Sequence, residues 1–329
     1  MQNNFPAGRL AGLDTLRFFA FLSVFIFHKI PAFIYGNYGV DFFFVLSSFL
    51  LTTLALSEFQ NTGKFSKLNF FMRRALRIFP LYYLIIFFSF LVLPHLADFL
   101  KINISFPQNK ILYWFLLSNY EQTDCVFYLK FLWSIAAEEQ FYILFIILSF
   151  LLKRHILLYI GILLSTYLIF MIYALNNNVD TYSNTIAHFP NFSMGMLTAY
   201  HYHKYRQINI NKIIFIAFPI SIAGMIFSQN EIPFNIFISI FFSILLLLMI
   251  SFGNKLVKFN FFKITEHLGK YSYGLYVYSG LVITLFSKII FTELFYINIV
   301  LQFITLLLLA YTSYHLYEKR FLKLKAYFR

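Results

Sequence analysis

Arg17 and His28 stand at the two ends of an otherwise apolar stretch, RFFAFLSVFIFH. On a helix, a spacing of eleven residues turns through about 1100°, within about 20° of three whole turns, so the two side chains share a face about 16 Å apart along the axis. Asp14 falls about 40° off the same stripe and is placed to orient Arg17. Asp41 heads the stretch YGVDFFFVLSSFLL, with Ser47 and Ser48 near its middle. Arg73, Arg74 and Arg77 crowd into about one helical turn of FFMRRALRIFPLYY, just before Pro80. Arg74 and Arg77 are three apart and share a face. Because a planar guanidinium can hold a phosphate with two bonds, such a pair suits a polyanion such as a nucleotide phosphate. Glu138 and Glu139 are neighbours in FLWSIAAEEQFYILF, with Tyr142 close behind, so at least one carboxylate should face the protein interior. Ionisable side chains inside a membrane are costly and by default mark a site. Each also has a plainer reading. An arginine near a helix end can snorkel to the interface, a histidine can be a packing residue, and a membrane serine usually bonds back to its own helix. The arginine cluster can lie on anionic headgroups as an amphipathic segment.

The elements that must carry these residues follow from composition. The chain has 329 residues, 60% hydrophobic and only 12% charged, with 47 phenylalanines. A soluble domain has about 45–50% apolar and about 25% charged residues, so the departure in both directions points to a membrane. Apolar runs recur at 13–30, 38–56, 80–97, 131–152, 156–175, 187–202, 213–228, 234–252, 271–291 and 296–317. Barrel strands would be about 10 residues long and alternating; these runs are longer and do not alternate. The expected fold is therefore all-α, a polytopic integral membrane protein of about ten transmembrane helices. Pro80 is expected to start the third helix. The stretch 111–120, ILYWFLLSNY, is too short to span and is expected to be a re-entrant or interfacial piece. With the basic clusters cytoplasmic, both termini lie inside: Arg9 and Arg17, then Lys64 to Arg77, Lys153 and Arg154, Lys204 to Lys212, Lys255 to Lys270, and the final stretch to Arg329. The net charge of +13 reflects this asymmetry between loops, and no nucleic acid is expected as a partner. The polar stretches 57–69 and 98–110 read as loops. No linker or repeat divides the chain, so 1–329 is expected to be one membrane-embedded domain. The N-terminal run reads as a retained span with no cleavage site. A single cysteine, Cys125, excludes an intrachain disulfide.

Four stretches in this order resemble the acyltransferase 3 family of integral membrane acyltransferases. They are the Arg-ten-residues-His of helix one, GVDFFFVLSSFL, RALRIFPLY and WSIAAEEQFY, which matches Glu138 to the family's glutamate; YSYGLYVYS at 271–279 is a weaker echo. Two positions depart: Ser48 stands where the family has glycine, and Ser279 where it often has histidine. The resemblance implies transfer of an acyl group, usually acetyl, from acyl-CoA (acetyl-CoA) to a hydroxyl of a carbohydrate bound for the cell surface or a lipid-linked glycan. It places the chain in the bacterial inner membrane, in contact with membrane lipids, with the acyl-CoA donor on the cytoplasmic side and no metal. On this reading His28 is the general base, since a neutral imidazole with an unperturbed pKa of about 6.5 suits proton removal from a hydroxyl. Glu138 orients it, with Asp41 as a rival for that task. Arg17, Arg74 and Arg77 hold the donor, and Asp14, Asp41, Ser47, Arg73, Glu139 and Tyr142 support. Direct transfer and an acyl-imidazole intermediate both stay open. A transporter or glycan flippase using Arg17, His28 and Glu138 as a pathway is the competing class.

Overall fold

The computed structural model describes residues 10–328 other than 31, 102, 122, 124, 206–209 and 290–293. Arg9, Arg206 and Arg329, which entered the charge argument above, lie outside the described residues. Every α- and π- or 3-10 element among them is helical, and there is no strand. In chain order the α-helices are α1 (Leu13–Phe27), α2 (Gly39–Thr62), α3 (Lys67–Phe87), α4 (Leu93–Leu100), α5 (Lys110–Trp114), α6 (Phe127–Lys130), α7 (Trp133–Ile147), α8 (Ile156–Asn177), α9 (Phe189–Tyr205), α10 (Ile210–Phe227), α11 (Glu231–Leu256), α12 (Asn260–Leu268), α13 (Ser272–Ile289), α14 (Phe295–Ser313) and α15 (Lys319–Leu324). Six helical stretches are long and apolar enough to cross a membrane: Ile34–Thr62, Lys67–Phe99, Phe127–Leu151, Ile156–Asn177, Glu231–Leu256 and Phe295–Phe328. The other four expected runs fall on α1, α9, α10 and α13, whose described apolar parts are shorter. The chain is thus a multi-pass helical membrane protein in which six spanning helices, not ten, are established by length.

Three local expectations change or sharpen. Pro80 does not start a helix: α3 begins at Lys67, with Ser66 Oγ accepting from Asn69 N, and runs through Pro80. A proline in mid-helix removes one backbone bond. Two hydroxyls bond carbonyls beside it: Tyr273 Oη donates to Ile78 O at 2.8 Å and Tyr317 Oη to Pro80 O at 3.2 Å. Next, α2 does not stop at residue 56. It continues to Thr62 and ends on Gly63, whose φ of 72° is the left-handed cap that glycine adopts without cost. Finally, 111–120 folds as the last residues of the short α5, a turn with Leu116 at φ 58°, and a single 3-10 turn at Ser118–Tyr120. No helix there is long enough to span.

Packing divides the chain into two compact units: the residues up to Phe65 with Ile147–Lys270, and Ser66–Ile146 with the residues from Tyr271 onward. In the first, α2 lies against α9 over much of its length. Its core includes Leu13, Ala20, Phe42, Val45, Leu46, Phe49, Ala199 and Leu246. In lipid, helices associate by close packing rather than by escape from water, so small residues at the seam decide how near the backbones come. The small residue of this seam is Gly195 on α9. A Cβ there would overlap Ser48 Oγ and Val45 O of α2. The glycine that α2 lacks at Ser48 is therefore supplied by the facing helix. Gly195→Ala is expected to destabilise the protein by about 1–3 kcal/mol through overpacking, read as a lower unfolding temperature in detergent. Adding Ser48→Gly should recover part of the loss but not all, because the Val45 carbonyl still meets the new methyl.

In the second unit, α3 carries buried Ile78, Leu81, Tyr82, Ile85 and Ile86. Tyr82 Oη reaches Tyr113 O at 2.7 Å and Tyr83 Oη reaches Trp114 O at 3.1 Å, tying α5 to α3. The close approach of α13 and α6 occurs at Gly280, beside Tyr128 and Phe131.

Candidate active site

The first unit holds Asp14, Arg17, His28, Asp41 and Ser47. α1 has no side-chain cap of its own at Gly12. Its first turn is closed instead from α12: Glu266 Oε2 accepts from Thr15 N at 3.0 Å and from Thr15 Oγ1 at 3.2 Å. A carboxylate at a helix N-terminus also meets the positive end of the helix dipole. One residue before Thr15, buried Asp14 accepts from Arg17 Nη1 through its Oδ1. This pairing neutralises the guanidinium within its own helix and fixes its direction. α1 then runs unbroken to Phe27, and His28 is its C-cap residue, half-buried, with its backbone N–H on Val24 O at 3.3 Å and its ring edge-on to Phe27. Ser47 is buried on α2.

Asp41, in the first turn of α2, has its own imidazole, and it is not the one expected. Its Oδ1 lies 2.9 Å from His188 Nδ1 and accepts from Asn191 Nδ2 at 2.6 Å. His188 Nε2 lies 3.0 Å from Tyr182 O, and Asn191 Oδ1 accepts from Ser239 Oγ at 2.7 Å. Both ring nitrogens of His188 are thus engaged. The network joins α2, α9 and α11 and serves as a polar brace rather than a free base. Sequence reasoning missed His188, Asn191 and Glu266. His188 opens the apolar run 187–202, so an ionisable residue within a spanning segment was the available signal.

The second unit holds Arg73, Arg74, Arg77, Glu138, Glu139 and Tyr142. The Arg74 guanidinium stands 5.6 Å from the centre of the Tyr142 ring, a cation–π distance. The Tyr142 hydroxyl donates to Glu138 Oε1 one turn back on α7. Arg74, Tyr142 and Glu138 form one connected group. Glu139, the other carboxylate of the pair, is buried, and its Oε1 has no hydrogen-bond partner among the described residues. The three arginines have separate fates. Arg73 Nη1 donates to Phe328 O at 2.6 Å, Arg74 sits on Tyr142, and Arg77 makes no hydrogen bond or ion pair with any described residue. His28 belongs to the first unit and Glu138 to the second. No group of three or more His, Cys, Asp or Glu among the described residues is arranged to hold a metal ion.

Comparison with known proteins covers the same ground. The acyltransferase domain profile of the acyltransferase 3 family matches residues 10–315, which includes every residue named so far in this subsection except Phe328. A segment of 157 residues is 37% identical to O-acetyltransferase OatA of Staphylococcus aureus (strain NCTC 8325 / PS 47), covering 44% of this chain and 26% of that protein. A segment of 220 residues is 30% identical to a protein of S. aureus strain COL provisionally named O-acetyltransferase SACOL0978, covering 61% of this chain and 36% of that protein. The chain thus matches about a quarter to a third of the length of these curated relatives. No solved structure matches it. With the profile covering nearly the whole chain, this protein belongs to the acyltransferase 3 family.

Proposed function

We propose that this protein transfers an acetyl group from acetyl-CoA to a hydroxyl of a cell-surface carbohydrate or lipid-linked glycan, within the bacterial inner membrane and with both termini cytoplasmic. The observation that carries the reading is the family match across 10–315, which takes in Arg17, His28, Arg77 and Glu138 together. The choice of acetyl and of a hydroxyl acceptor is supported by the names of both relatives. His28 takes the proton of the acceptor hydroxyl as its oxygen attacks the thioester carbonyl. The carbon–sulfur bond then breaks, and the imidazolium returns its proton to the departing thiolate. The products are an ester and free CoA. Glu138, which accepts from Tyr142, is the second catalytic group of this proposal. Asp41 is engaged by His188 and Asn191, which speaks against it as the group that orients His28.

The donor carries several phosphate charges, and Arg77 is the cluster member whose guanidinium no described residue bonds. Purified full-length protein should bind and turn over labelled acetyl-CoA, releasing free thiol. Arg77→Ala should weaken donor binding about tenfold, the size of one lost charge-assisted hydrogen bond. Arg73→Ala should change it much less, because Arg73 is tied to the Phe328 carbonyl. Equal donor affinity in wild type and Arg77→Ala would instead assign the cluster to lipid headgroups. Mass analysis of surface glycans from cells with and without the protein identifies the acceptor.

A further inference from the structure

Glu318 lies beyond the residues matched by the family profile, yet it is a buried carboxylate of the second unit whose neighbours bond α3 carbonyls close to Arg77. The chain reaches it through a π-helical turn, Tyr314–Glu318. Five residues on an α-helix turn through about 500°, which would put Ser313 and Glu318 about 140° apart. The wider π turn brings positions five apart into line. Ser313 Oγ accordingly donates to Glu318 Oε1 at 3.0 Å, and Tyr278 Oη donates to Ser313 Oγ at 3.0 Å. Glu318 is buried, so the turn aims a carboxylate into the protein rather than toward lipid.

Two sets of contacts locate that carboxylate against α3. Glu318 Oε1 lies 3.4 Å from where a Cβ on Gly274 would stand. The residue before Gly274 is Tyr273, whose hydroxyl binds Ile78 O, next to Arg77. The residue before Glu318 is Tyr317, whose hydroxyl binds Pro80 O, one turn on from Arg77. No hydrogen bond or ion pair joins Arg77 to Glu318. A guanidinium in a spanning segment is costly when nothing balances it. A carboxylate held a short way off, by a serine rather than by the arginine, lowers that cost and leaves the fork of the guanidinium open.

We propose that Glu318 is the counter-charge against which a polyanionic ligand competes at Arg77: it stabilises the empty site and weakens phosphate binding there, so that the spent CoA can leave. The proposal rests on the donor-binding reading of Arg77. It makes a prediction that a merely structural role does not, a gain of affinity on mutation. Titrating the purified full-length protein with CoA alone, Glu318→Gln should bind about fivefold more tightly than wild type, the scale of removing one nearby charge in a partly screened setting. In an Arg77→Gln background the same change should have no effect, because the coupling runs through that pair. Ser313→Ala removes the hydroxyl that holds the carboxylate away from Arg77, and should weaken CoA binding; it provides a second reading if Glu318→Gln does not fold. Unchanged or weaker binding by folded Glu318→Gln, or unchanged binding by Ser313→Ala, overturns the proposal. Absence of CoA binding by the wild type is a different result: it removes the donor reading itself, and this inference with it.

Discussion

His28→Ala is expected to lower acetyl transfer by about 10²–10⁴-fold, the range that positioned proton transfer contributes, while leaving CoA binding and the unfolding temperature close to wild type. His28 caps α1 through its backbone N–H on Val24 O, and alanine keeps that bond. The ring is half-buried beside Phe27 at the end of the helix, outside the fully buried core. A large loss of turnover with small losses elsewhere is therefore the signature of chemistry. The measurement is kcat for acetyl-CoA-dependent transfer beside CoA affinity and thermal unfolding of the same preparation. Full turnover in His28→Ala ends the general-base role. Incubation with labelled acetyl-CoA and no acceptor separates the two routes: label retained on wild type and absent from His28→Ala shows an acyl-imidazole, and label on neither supports direct transfer.

Asp41→Ala is expected to act on stability instead, lowering it by about 2–4 kcal/mol, the range for stripping a partner from buried charged and polar groups. Asp41 accepts from both His188 and Asn191. Without it, His188 loses the acceptor at Nδ1, and the Asn191 amide N–H loses its acceptor while its oxygen still receives Ser239. These groups stand where α2, α9 and α11 meet, so the loss falls on the packing of three helices. Asp41→Asn should cost less, since the amide oxygen can still accept one of the two bonds. Thermal unfolding in detergent reads both. If Asp41→Ala keeps wild-type stability but abolishes transfer, the brace is not structural and Asp41 returns as a candidate at the active site.

Arg77 and Glu318 show how unevenly the groups of the proposed site could be read in advance. Arg77 was legible because three arginines within one turn of an apolar segment are rare and expensive. Which of the three is free was not, since the answer depends on groups far along the chain: Phe328 for Arg73 and Tyr142 for Arg74. Glu318 carries no such signal: it is a lone acidic residue beside the basic residues that close the chain. Its inward aim comes from a π turn, which leaves no pattern in hydrophobic periodicity.

Composition, apolar run length and the spacing of Arg17 and His28 were enough to specify a helical multi-pass protein, the rough places of its longer helices and the four motif stretches. These are local quantities: lipid demands an internally satisfied backbone, and that demand acts on each segment separately. Pairing was decided by the tertiary structure. It gave Asp41 to His188 instead of His28, closed the N-terminus of α1 with Glu266, set Gly195 against Ser48, and brought the hydroxyls of Tyr273 and Tyr317 onto α3 carbonyls beside Pro80. Each of these is a hydrogen bond or close approach between residues distant in sequence, and its energy depends on two surfaces meeting at a particular height and rotation, which no single segment encodes.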